Sequence, residues 1–479
     1  MPSHTQAPPR RDFRHTKIVC TLGPACDSRE AIEELASAGM NVARLNLSHG
    51  DHESHLQVIR RIKSLNTKLN HPISVLLDLQ GPEIRTGVLT KSIDLTVGEV
   101  ISLTVSPIDD PEIKSVHVSY DDLVNDLRVG DRVTVDNGLI NLEVLRIKDR
   151  TLECRVLDGG TLGSRKHVNL PGIRVNLPSI TDKDRKDIQF GIENEVDFIA
   201  LSFVRSANDV LEARELIEAS GTNIRLVAKI ENQEGVDNFP AILREADGIM
   251  VARGDLGVEV DFRELPVIQR RLVRACAIAG KPVIVATHLL ESMIEHPMPT
   301  RAEVTDVANA VYEQADAVML SGETATGAHP ARCVQVLDGL TRRIEKEPSL
   351  NFYLERQPAS PREELARSAC RLADSLNAPA IVVITRRGLL AQQVASFRPQ
   401  HSIIYAFTNM SSTRRKLWLL RSVVPFVTDF SRDPEKTITM AFERLKRRNR
   451  VQPGDPIVVI SDIQAASETV SSIQVRTFV

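Results

Sequence analysis

The segment VDFIALSFVRSANDVLEARELIEASGTNIRLVAKIEN, residues 196–232, contains one strand–helix–strand unit. Its two apolar runs, residues 196–205 and 224–232, have the near-continuous hydrophobicity of strands that are buried on both faces. Between them, DVLEARELIEAS (209–220) repeats apolar residues at helical spacing. Consecutive buried strands that are joined by a helix usually pair in parallel, so the segment predicts a βαβ unit of an α/β fold.

The same alternation occurs eight times in the first 345 residues. The apolar runs cover residues 16–23, 40–50, 73–81, 196–205, 224–232, 246–255, 281–288 and 315–323. Segments with helical spacing, such as SREAIEELASAG (28–39), separate them. Eight βα units predict a closed (β/α)8 TIM barrel that is built from residues 15–82 and 181–345.

Residues 83–180 interrupt the barrel pattern after its third strand. Segments such as VGDRVTVDNGLINLEVLRI (129–147) alternate apolar and polar residues and contain Gly, Asp and Asn at turn positions. They predict an inserted all-β domain, which we expect to resemble a small β-barrel. Because the insertion follows a strand of the barrel, it should lie at the C-terminal face of the barrel and act as a lid.

The two ends of the chain differ from the barrel. Residues 346–479 contain four further buried-type runs, 378–385, 401–408, 422–428 and 455–462, with helices between them, and predict a C-terminal open α/β domain. Residues 1–14, MPSHTQAPPRRDFR, have no apolar core, and we expect them to form a flexible tail.

Composition indicates an ordinary soluble protein and excludes several classes. The formal net charge is -3 over 479 residues, so bulk charge gives no reason to expect a nucleic acid or an anionic membrane as a partner. No apolar run has the length of a membrane span. The six cysteines are scattered and form no C-x-x-C pair. They therefore favour reduced thiols in a cytoplasmic protein over disulfides or a zinc site.

The apolar barrel strands become polar at their carboxyl ends, which is where TIM-barrel enzymes build their active sites. The residues concerned are Arg44, Asn46, Ser48, Asp78, Ser202, Arg205, Lys229, Glu231, Arg253, Gly254, Asp255, Thr287, Ser321 and Glu323. A single polar strand end could simply be solvated. Polar residues at seven of the eight ends favour an enzyme.

Two of these strand ends predict a magnesium site. Glu231 and Asp255 follow neighbouring strands, and a sparse set of carboxylates suits Mg²⁺, which takes its remaining ligands from water and substrate. Lys229 lies two residues before Glu231 and should share its face of the strand. A metal and an ammonium group together would form a clamp for a phosphoryl group. A buried Lys–carboxylate pair without a catalytic role is the alternative.

Asn46, Ser48 and Asp78 form a second group of oxygen donors. Because only one of them is charged, the group suits a monovalent cation better than a divalent one. An ordinary hydrogen-bond network remains the alternative.

At these residues the chain resembles the pyruvate kinase family. The similar motifs are GMNVARLNLSHG (39–50), GPEIRTG (81–87), VNLPG (168–172), AKIENQEGV (228–236) and VARGDLGVEV (251–260). The resemblance implies a glycolytic, allosteric homotetramer that transfers the phosphoryl group of phosphoenolpyruvate to ADP and yields pyruvate and ATP. It also implies dependence on Mg²⁺ and K⁺.

The resemblance further implies roles in substrate binding and phosphoryl transfer. Glu231 and Asp255 would hold Mg²⁺, and Lys229 would stabilise the transferring phosphoryl group. Arg44 would bind the same phosphate. The amides near Gly254 and Asp255 would bind the substrate carboxylate.

Proton transfer, K⁺ and the nucleotide involve other positions. Thr287, with Ser321 nearby, would relay a proton to the enolate carbon. The K⁺ ligands would be Asn46, Ser48, Asp78 and the carbonyl of Leu79. Glu83 matches members that depend on K⁺. Arg85 and, in the lid, Lys166 would contact the nucleotide.

Some positions depart from the family pattern. Ser54 stands where an aromatic residue is frequent, which leaves the nucleotide preference open. His288 follows the proposed proton relay and is either a residue that shifts the pH profile or a packing variant. The loop TRRGLLAQ (385–392) lacks the hydroxyl-rich pattern of members that fructose 1,6-bisphosphate activates. We therefore expect another phosphate effector on this domain, or none.

Two other functions fit parts of the pattern. One is a Mg²⁺-dependent barrel lyase that acts on pyruvate or oxaloacetate enolates, which would need neither the lid nor the K⁺ group. The other is a barrel that has lost activity and serves as a sensor or assembly partner. Against the second, every charged residue that is assigned above is present.

Overall fold

The computed structural model describes residues 13–106, 115–447, 451–465 and 468–479. Residues 1–12 of the predicted tail lie outside these ranges. The tail prediction is wrong for Arg14, which is 7% exposed. Its guanidinium donates to Asp338 Oδ1 at 2.9 Å, to the Gly39 carbonyl at 2.6 Å and to Asn41 Oδ1 at 2.5 Å. The packed part of the chain therefore includes Arg14.

Eight parallel strands close into a barrel, as the sequence predicts. They are β1 (Lys17–Thr21), β2 (Val42–Asn46), β3 (Ser74–Asp78), β12 (Phe198–Leu201), β13 (Arg225–Ile230), β14 (Gly248–Ala252), β15 (Val283–Ala286) and β16 (Ala317–Leu320). Each pairs with its neighbours in sequence, and β1 pairs with β16 to close the cylinder. Nearly every strand residue is buried, which explains why the runs lack polar alternation.

A repeated polar contact joins the strands at the amino-terminal end of the barrel. The residue just before every second barrel strand is Asn or Asp. Its side-chain oxygen accepts a hydrogen bond from the backbone amide of the first or second residue of the preceding barrel strand. The four pairs are Asn41 with Ile18, Asp197 with Val75, Asp247 with Leu226 and Asp316 with Val283, at 2.9, 2.9, 2.9 and 3.1 Å. These contacts satisfy amides at strand starts, where the sheet ladder alone would leave them without partners.

Helices surround the barrel and bury an apolar face against it. They are α1 (Arg29–Ala38), α2 (His52–Asn66), α4 (Asp182–Glu193), α5 (Ala207–Glu218), α6 (Gln233–Asp237), α7 (Phe239–Glu245), α8 (Arg253–Glu259), α9 (Leu265–Ala279), α10 (Arg301–Tyr312), α11 (Gly322–Ala325) and α12 (Pro330–Ile344), with a 3-10 turn at Glu291–Ile294. Capping boxes begin α4 at Thr181 and α10 at Thr300. These caps fix where each helix starts and hence where the preceding loop ends.

The insertion after β3 is mainly β structure. It contains β4 (Ile93–Leu95), β5 (Val100–Thr104), β6 (Ser115–His117), the one-turn helix α3 (Leu123–Asp126), β7 (Arg132–Val135), β8 (Ile140–Lys148), β9 (Thr151–Asp158), β10 (Gly160–Leu162) and β11 (Val168–Asn169). Among the described residues, these strands form a six-stranded sheet in the order β11-β7-β8-β9-β5-β6 and a separate β10-β4 pair. The domain has its own buried core.

The C-terminal domain is an open five-stranded sheet in the order β19-β18-β17-β20-β21. Its elements are α13 (Pro361–Ser375), β17 (Ala380–Ile384), α14 (Leu389–Ser396), β18 (Ile403–Thr408), α15 (Ser411–Lys416), β19 (Val423–Val427), α16 (Pro434–Arg447), β20 (Pro456–Ala465) and β21 (Glu468–Thr477), with 3-10 turns at Phe352–Glu355 and Leu417–Leu419. The four predicted strands are present. The sequence did not predict β21, which pairs antiparallel with β20.

The C-terminal domain closes the amino-terminal end of the barrel. Leu419 is 1% exposed and packs with the side chains that fill the barrel interior. Arg398 forms two hydrogen bonds with Asp316 at 2.6 and 2.7 Å, and Arg415 Nε lies 2.8 Å from Asp197. The same carboxylates that tie the strand starts therefore also hold the C-terminal domain.

All six cysteines are buried and free. Among the described residues, no helix is both long and apolar enough to cross a membrane.

Candidate active site

Lys229 lies at the centre of a cluster of charges at the carboxyl end of the barrel. Its ammonium nitrogen is 2.9 Å from Glu231 Oε1, 3.1 Å from Asp78 Oδ1 and 2.6 Å from Ser202 Oγ. Lys229 is 8% exposed, and both carboxylates are at most 1% exposed. Burial alone would lower the pKa of Lys229, but Asp78 and Glu231 outweigh it and raise the pKa above its usual value. The ammonium is therefore charged.

Arg44 supplies a second cation on the other side of Asp78. Its Nε donates to Asp78 Oδ2 at 2.6 Å, and its Nη1 donates to Thr21 Oγ1 at 2.9 Å. Burial alone would raise the pKa of Asp78, but Lys229 and Arg44 together lower it below its usual value. A fixed carboxylate thus holds two cations side by side at the mouth of the barrel.

Glu231 and Asp255 are the two carboxylates of the predicted magnesium site. Glu231 Oε2 accepts the amide of Phe203 at 2.6 Å, while Asp255 lies 3.9 Å from His167 Nδ1 and is one-third exposed. Burial raises the pKa of Glu231 to about 7 against the opposing charge of Lys229, and repulsion from Asp255 adds to the rise. Two hard carboxylates that repel each other fit a divalent cation such as Mg²⁺.

The described residues contain no group of three or more His, Cys, Asp or Glu side chains with metal-binding spacing. A cation at Glu231 and Asp255 would therefore depend on substrate oxygens and water for its other ligands. Mg²⁺ commonly binds in this way, through one or two carboxylates together with substrate phosphates.

The four predicted K⁺ ligands lie at the ends of two adjacent strands. Asn46 and Asp78 are register partners in the β2–β3 pair. Asn46 Oδ1 accepts the amide of Ser48 at 3.2 Å, and the Leu79 carbonyl accepts the hydroxyl of Ser202 at 2.7 Å. The set offers amide, hydroxyl, carbonyl and carboxylate oxygens, which fits a hard monovalent cation. Ser202 connects this group to Lys229.

Thr287 and Ser321 follow the adjacent strands β15 and β16. The Thr287 hydroxyl donates to the Ala286 carbonyl at 2.6 Å and accepts the Gly254 amide at 2.7 Å. The Gly254 amide, which was predicted to bind substrate, is thus already bonded to Thr287. Ser321 Oγ is buried and has no hydrogen-bond partner among the described residues.

Arg85 and Lys166 lie next to each other where the insertion joins the barrel. The Thr86 amide donates to the Lys166 carbonyl at 2.8 Å. Each side chain forms an ion pair, Arg85 with Glu83 at 2.6 Å and Lys166 with Asp136 at 2.7 Å. The side chains of Arg85 and Lys166 are 38% and 35% exposed. A nucleotide phosphate could therefore compete with Glu83 and Asp136 for them.

Two positions that the sequence left open have simple environments. His288 is 60% exposed and faces Glu291, with Nε2 and Oε2 3.3 Å apart, so it is no buried packing residue. Ser54 is the N3 residue of the capping box that begins α2 at Asp51, since its amide donates to Asp51 Oδ1 at 2.9 Å and its hydroxyl donates to the Asp51 carbonyl at 2.8 Å.

Several contacts in the site lie beyond what the sequence assigned. The sequence indicates Ser202 as a polar strand end without a role, and it does not indicate the amide of Phe203 or the ring of His167. A backbone amide has no side-chain pattern, and a single histidine is too common to indicate a site. Their contribution appears only when the loops fold together.

In the C-terminal domain, the loop 385–392 does not form a cluster of hydroxyl groups. The Gly388 amide donates to Thr385 Oγ1 at 3.1 Å, and Arg386 and Arg387 are exposed. At the segment 462–475, Asp462 binds Arg362 at 2.5 Å. Residues 468–475 belong to the strand β21.

Two family profiles match this chain, and both belong to the same family. The profile of the pyruvate kinase barrel domain matches residues 13–334, and that of the pyruvate kinase alpha/beta domain matches residues 363–476. A pyruvate kinase of Bacillus licheniformis is 43% identical over 97% of this chain and 80% of its own length. Plastidial pyruvate kinase 3 of Arabidopsis thaliana is 42% identical over 93% and 78%, and a Dictyostelium discoideum pyruvate kinase is 41% identical over 95% and 92%.

A solved structure agrees with these sequence matches. The crystal structure of a pyruvate kinase from Cryptosporidium parvum superimposes with a TM-score of 0.91 at 37% identity, over 97% of this chain and 96% of the other. Barrel, insertion and C-terminal domain thus share one architecture with it. The chain belongs to the pyruvate kinase family.

Proposed function

We propose that this chain transfers the phosphoryl group of phosphoenolpyruvate to ADP and releases pyruvate and ATP. The observation that carries the proposal is the position of Lys229. Its charged ammonium lies between Asp78 and Glu231 at the carboxyl end of the barrel, with Arg44 beside it. Phosphoryl transfer requires mainly positioning and neutralisation of charge, which this cluster can provide.

Arg44 and Lys229 act on the phosphoryl group. Arg44 donates to Asp78 and Thr21 through Nε and Nη1, which leaves its Nη2 edge to bind a phosphate oxygen. Lys229 offsets the negative charge that develops on the phosphoryl group and on the enolate oxygen. Both cations are held in place before the substrate arrives, so little reorganisation is needed during the reaction.

Glu231 and Asp255 would hold Mg²⁺, which, when bound, supplies Lewis-acid stabilisation of phosphoryl and enolate oxygens. Asn46, Ser48, Asp78 and the Leu79 carbonyl would hold K⁺. Glu83 agrees with K⁺ dependence only through the family resemblance, since here it pairs with Arg85. The protein itself contributes the buried, preorganised oxygen donors.

Thr287 donates a proton to the enolate carbon after phosphoryl transfer, with Ser321 nearby. The Thr287 hydroxyl donates a hydrogen bond to the Ala286 carbonyl, so its O–H bond must turn toward the substrate while the oxygen stays in place. The amides of Gly254 and Asp255 bind the substrate carboxylate. The Gly254 amide also donates to Thr287 Oγ1, so the substrate carboxylate would share this donor with the hydroxyl oxygen.

Arg85 and Lys166 bind the phosphates of the nucleotide when the lid closes. Their present partners, Glu83 and Asp136, are exchanged for phosphate oxygens. Arginine and lysine bind phosphate through charge-assisted hydrogen bonds, and partly exposed ion pairs contribute little stability, so the exchange costs little.

The first experiment is an assay of the whole reaction. Purified protein is mixed with phosphoenolpyruvate, ADP, Mg²⁺ and K⁺, and pyruvate and ATP are measured separately. We expect equal amounts of both, and neither product when ADP or Mg²⁺ is omitted. Pyruvate that forms from oxaloacetate without ADP would indicate the lyase, and the absence of any turnover would indicate a barrel without catalytic activity.

We also propose a cytoplasmic homotetramer. Large apolar side chains at the start of α9 support self-association, since Phe262 is 77% exposed and Val267 is 60% exposed. Light scattering after size-exclusion chromatography measures the mass of the assembly.

For the C-terminal domain, we expect fructose 1,6-bisphosphate to have no effect on turnover. A thermal-shift screen of other phosphates tests for an effector.

A further inference from the structure

The backbone at Thr287 has an unusual conformation. Thr287 has a φ of +67°, and His288 follows with +55°. Thr287 is the only β-branched residue with positive φ among the residues that the structure describes. The left-handed region is unfavourable for a β-branched side chain, and such a residue persists there only when its surroundings hold it.

Arg253 holds this backbone. Its Nε donates to the Ala286 carbonyl at 3.2 Å, and its Nη2 donates to the Thr287 carbonyl at 2.6 Å. In an extended strand, successive carbonyls point to opposite sides and could not meet one guanidinium. The turn to positive φ at Thr287 brings the two carbonyls to the same side, where one rigid fork binds both.

The guanidinium of Arg253 also binds side chains of two outer helices. Its Nη1 donates to Asp306 Oδ1 on α10 at 2.6 Å and to Gln269 Oε1 on α9 at 3.3 Å. Gln269 in turn donates to Glu313 at 2.9 Å. Arg253 is 7% exposed. It therefore connects the start of α8, the end of β15 and two outer helices.

Arg253 also affects the hydroxyl of Thr287. The Ala286 carbonyl accepts both Arg253 Nε and Thr287 Oγ1, so the two donors share one acceptor. The amide of Gly254, the residue after Arg253, donates to Thr287 Oγ1. The backbone and side chain of Thr287 are thus fixed by two consecutive residues of α8.

We propose that Arg253 is a positioning residue, which holds the Thr287 hydroxyl where it can protonate the enolate carbon. The inference rests on the proposed function. In the step concerned, the Oγ–H bond of Thr287 breaks and a C–H bond forms at the enolate carbon, which becomes the methyl group of pyruvate. The oxygen of Thr287 regains a proton from water.

The test separates proton transfer from substrate binding. The variants are Arg253→Ala and Arg253→Lys, and Arg356→Ala is the matched control. Arg356 is also buried and binds one backbone carbonyl and one carboxylate, but it lies between the barrel and the C-terminal domain. Proton transfer is followed by NMR as the exchange of pyruvate methyl protons in D₂O with Mg²⁺, K⁺ and inorganic phosphate.

We expect exchange and kcat to fall together in both Arg253 variants, by about a hundredfold, because a displacement of about 1 Å is sufficient for such a loss. The KM for phosphoenolpyruvate should stay within about threefold. Millimolar guanidinium, but not tetramethylammonium, should restore part of the kcat of Arg253→Ala. Arg356→Ala should lose stability and keep its exchange rate.

Exchange within about threefold of the wild type in folded Arg253→Lys, or a raised KM with unchanged kcat, would overturn the proposal. Should Arg253→Ala not fold, Arg253→Lys decides by these same measurements. Failure of the proposed function is a different result, since the wild type would then form no pyruvate from phosphoenolpyruvate and ADP.

Discussion

Replacement of Lys229 by methionine tests the centre of the proposed mechanism. Methionine keeps much of the length and apolar volume of lysine but removes the charge. The ammonium nitrogen lies within 3.1 Å of two buried carboxylates, so it is the main counter-charge for Glu231 and shares Asp78 with Arg44.

The structure allows two magnitudes to be estimated. Two unit charges at this separation attract by roughly 5 kcal/mol at an effective dielectric constant of about 20, and the loss of one member of a buried pair costs about 3–5 kcal/mol of stability. We expect the lower value, because Arg44 still compensates Asp78. For catalysis, loss of one preorganised donor costs about a hundredfold to a thousandfold. Because Lys229 carries a full charge beside the phosphoryl group, its loss should slow phosphoryl transfer by at least about a thousandfold.

The assay separates binding from chemistry. Single-turnover formation of ATP in a rapid-quench instrument gives the rate of phosphoryl transfer, and calorimetry gives the affinity for phosphoenolpyruvate. Lys281→Met is the matched control, because its ammonium binds the Arg244 and Ala246 carbonyls, each at 2.7 Å, at the opposite end of the barrel. The control should turn over normally, while Lys229→Met should bind the substrate within about threefold of the wild type and transfer no measurable phosphoryl group.

Two results would refute this reasoning. Turnover of Lys229→Met within about tenfold of the wild type would show that the ammonium is a structural ion pair. A large loss of affinity with an unchanged rate of transfer would show that Lys229 binds substrate and transition state equally.

Three further predictions concern stability and metal binding. Arg398→Leu should lower the free energy of unfolding in urea by about 3–5 kcal/mol, because it leaves Asp316 buried without its cation. Adding Asp316→Leu should recover part of the loss, and an unchanged unfolding midpoint for Arg398→Leu would contradict this explanation. Burial lowers the pKa of His15 to about 4 from 6.5, so the unfolded chain binds the extra proton and stability should fall as the pH drops through that window, by about 1 kcal/mol between pH 6.5 and 5.5. His15→Asn should flatten this slope in thermal unfolding, and an unchanged slope would exclude His15 as its cause. Glu231→Gln should weaken Mn²⁺ binding, measured by electron paramagnetic resonance, at least about tenfold, whereas equal affinity would place the metal elsewhere than at Glu231 and Asp255.

The barrel was predictable because its strands are buried on both faces. The runs 196–205 and 224–232 each contain one strand, β12 and β13, and the same holds for the other six. The strand β21 was missed because the strands of the C-terminal domain were predicted from near-continuous apolar runs, and residues 468–477 contain none. Val470, Ile473 and Val475 are separated by polar residues, so β21 lacks the continuous hydrophobicity of the other strands.

The site was predictable only where a side chain follows a strand. Spacing along β13 placed Lys229 and Glu231 on one face, and they lie 2.9 Å apart. No local pattern indicates the left-handed backbone at Thr287 or the fork of Arg253 that holds it. The contact of Arg398 with Asp316 also has no local signal, because 82 residues separate the two. In such cases tertiary packing overrides local preference.

The charge balance of the barrel mouth gives a physical reason for the proposed cations that does not depend on relatives. Arg44 and Lys229 face three carboxylates, Asp78, Glu231 and Asp255. Phosphoenolpyruvate carries both a phosphate and a carboxylate, so a mouth with excess negative charge would repel it. A site evolved only to bind this anion would omit the acids. Their presence is consistent with anion binding if cations enter with the substrate and offset the carboxylates.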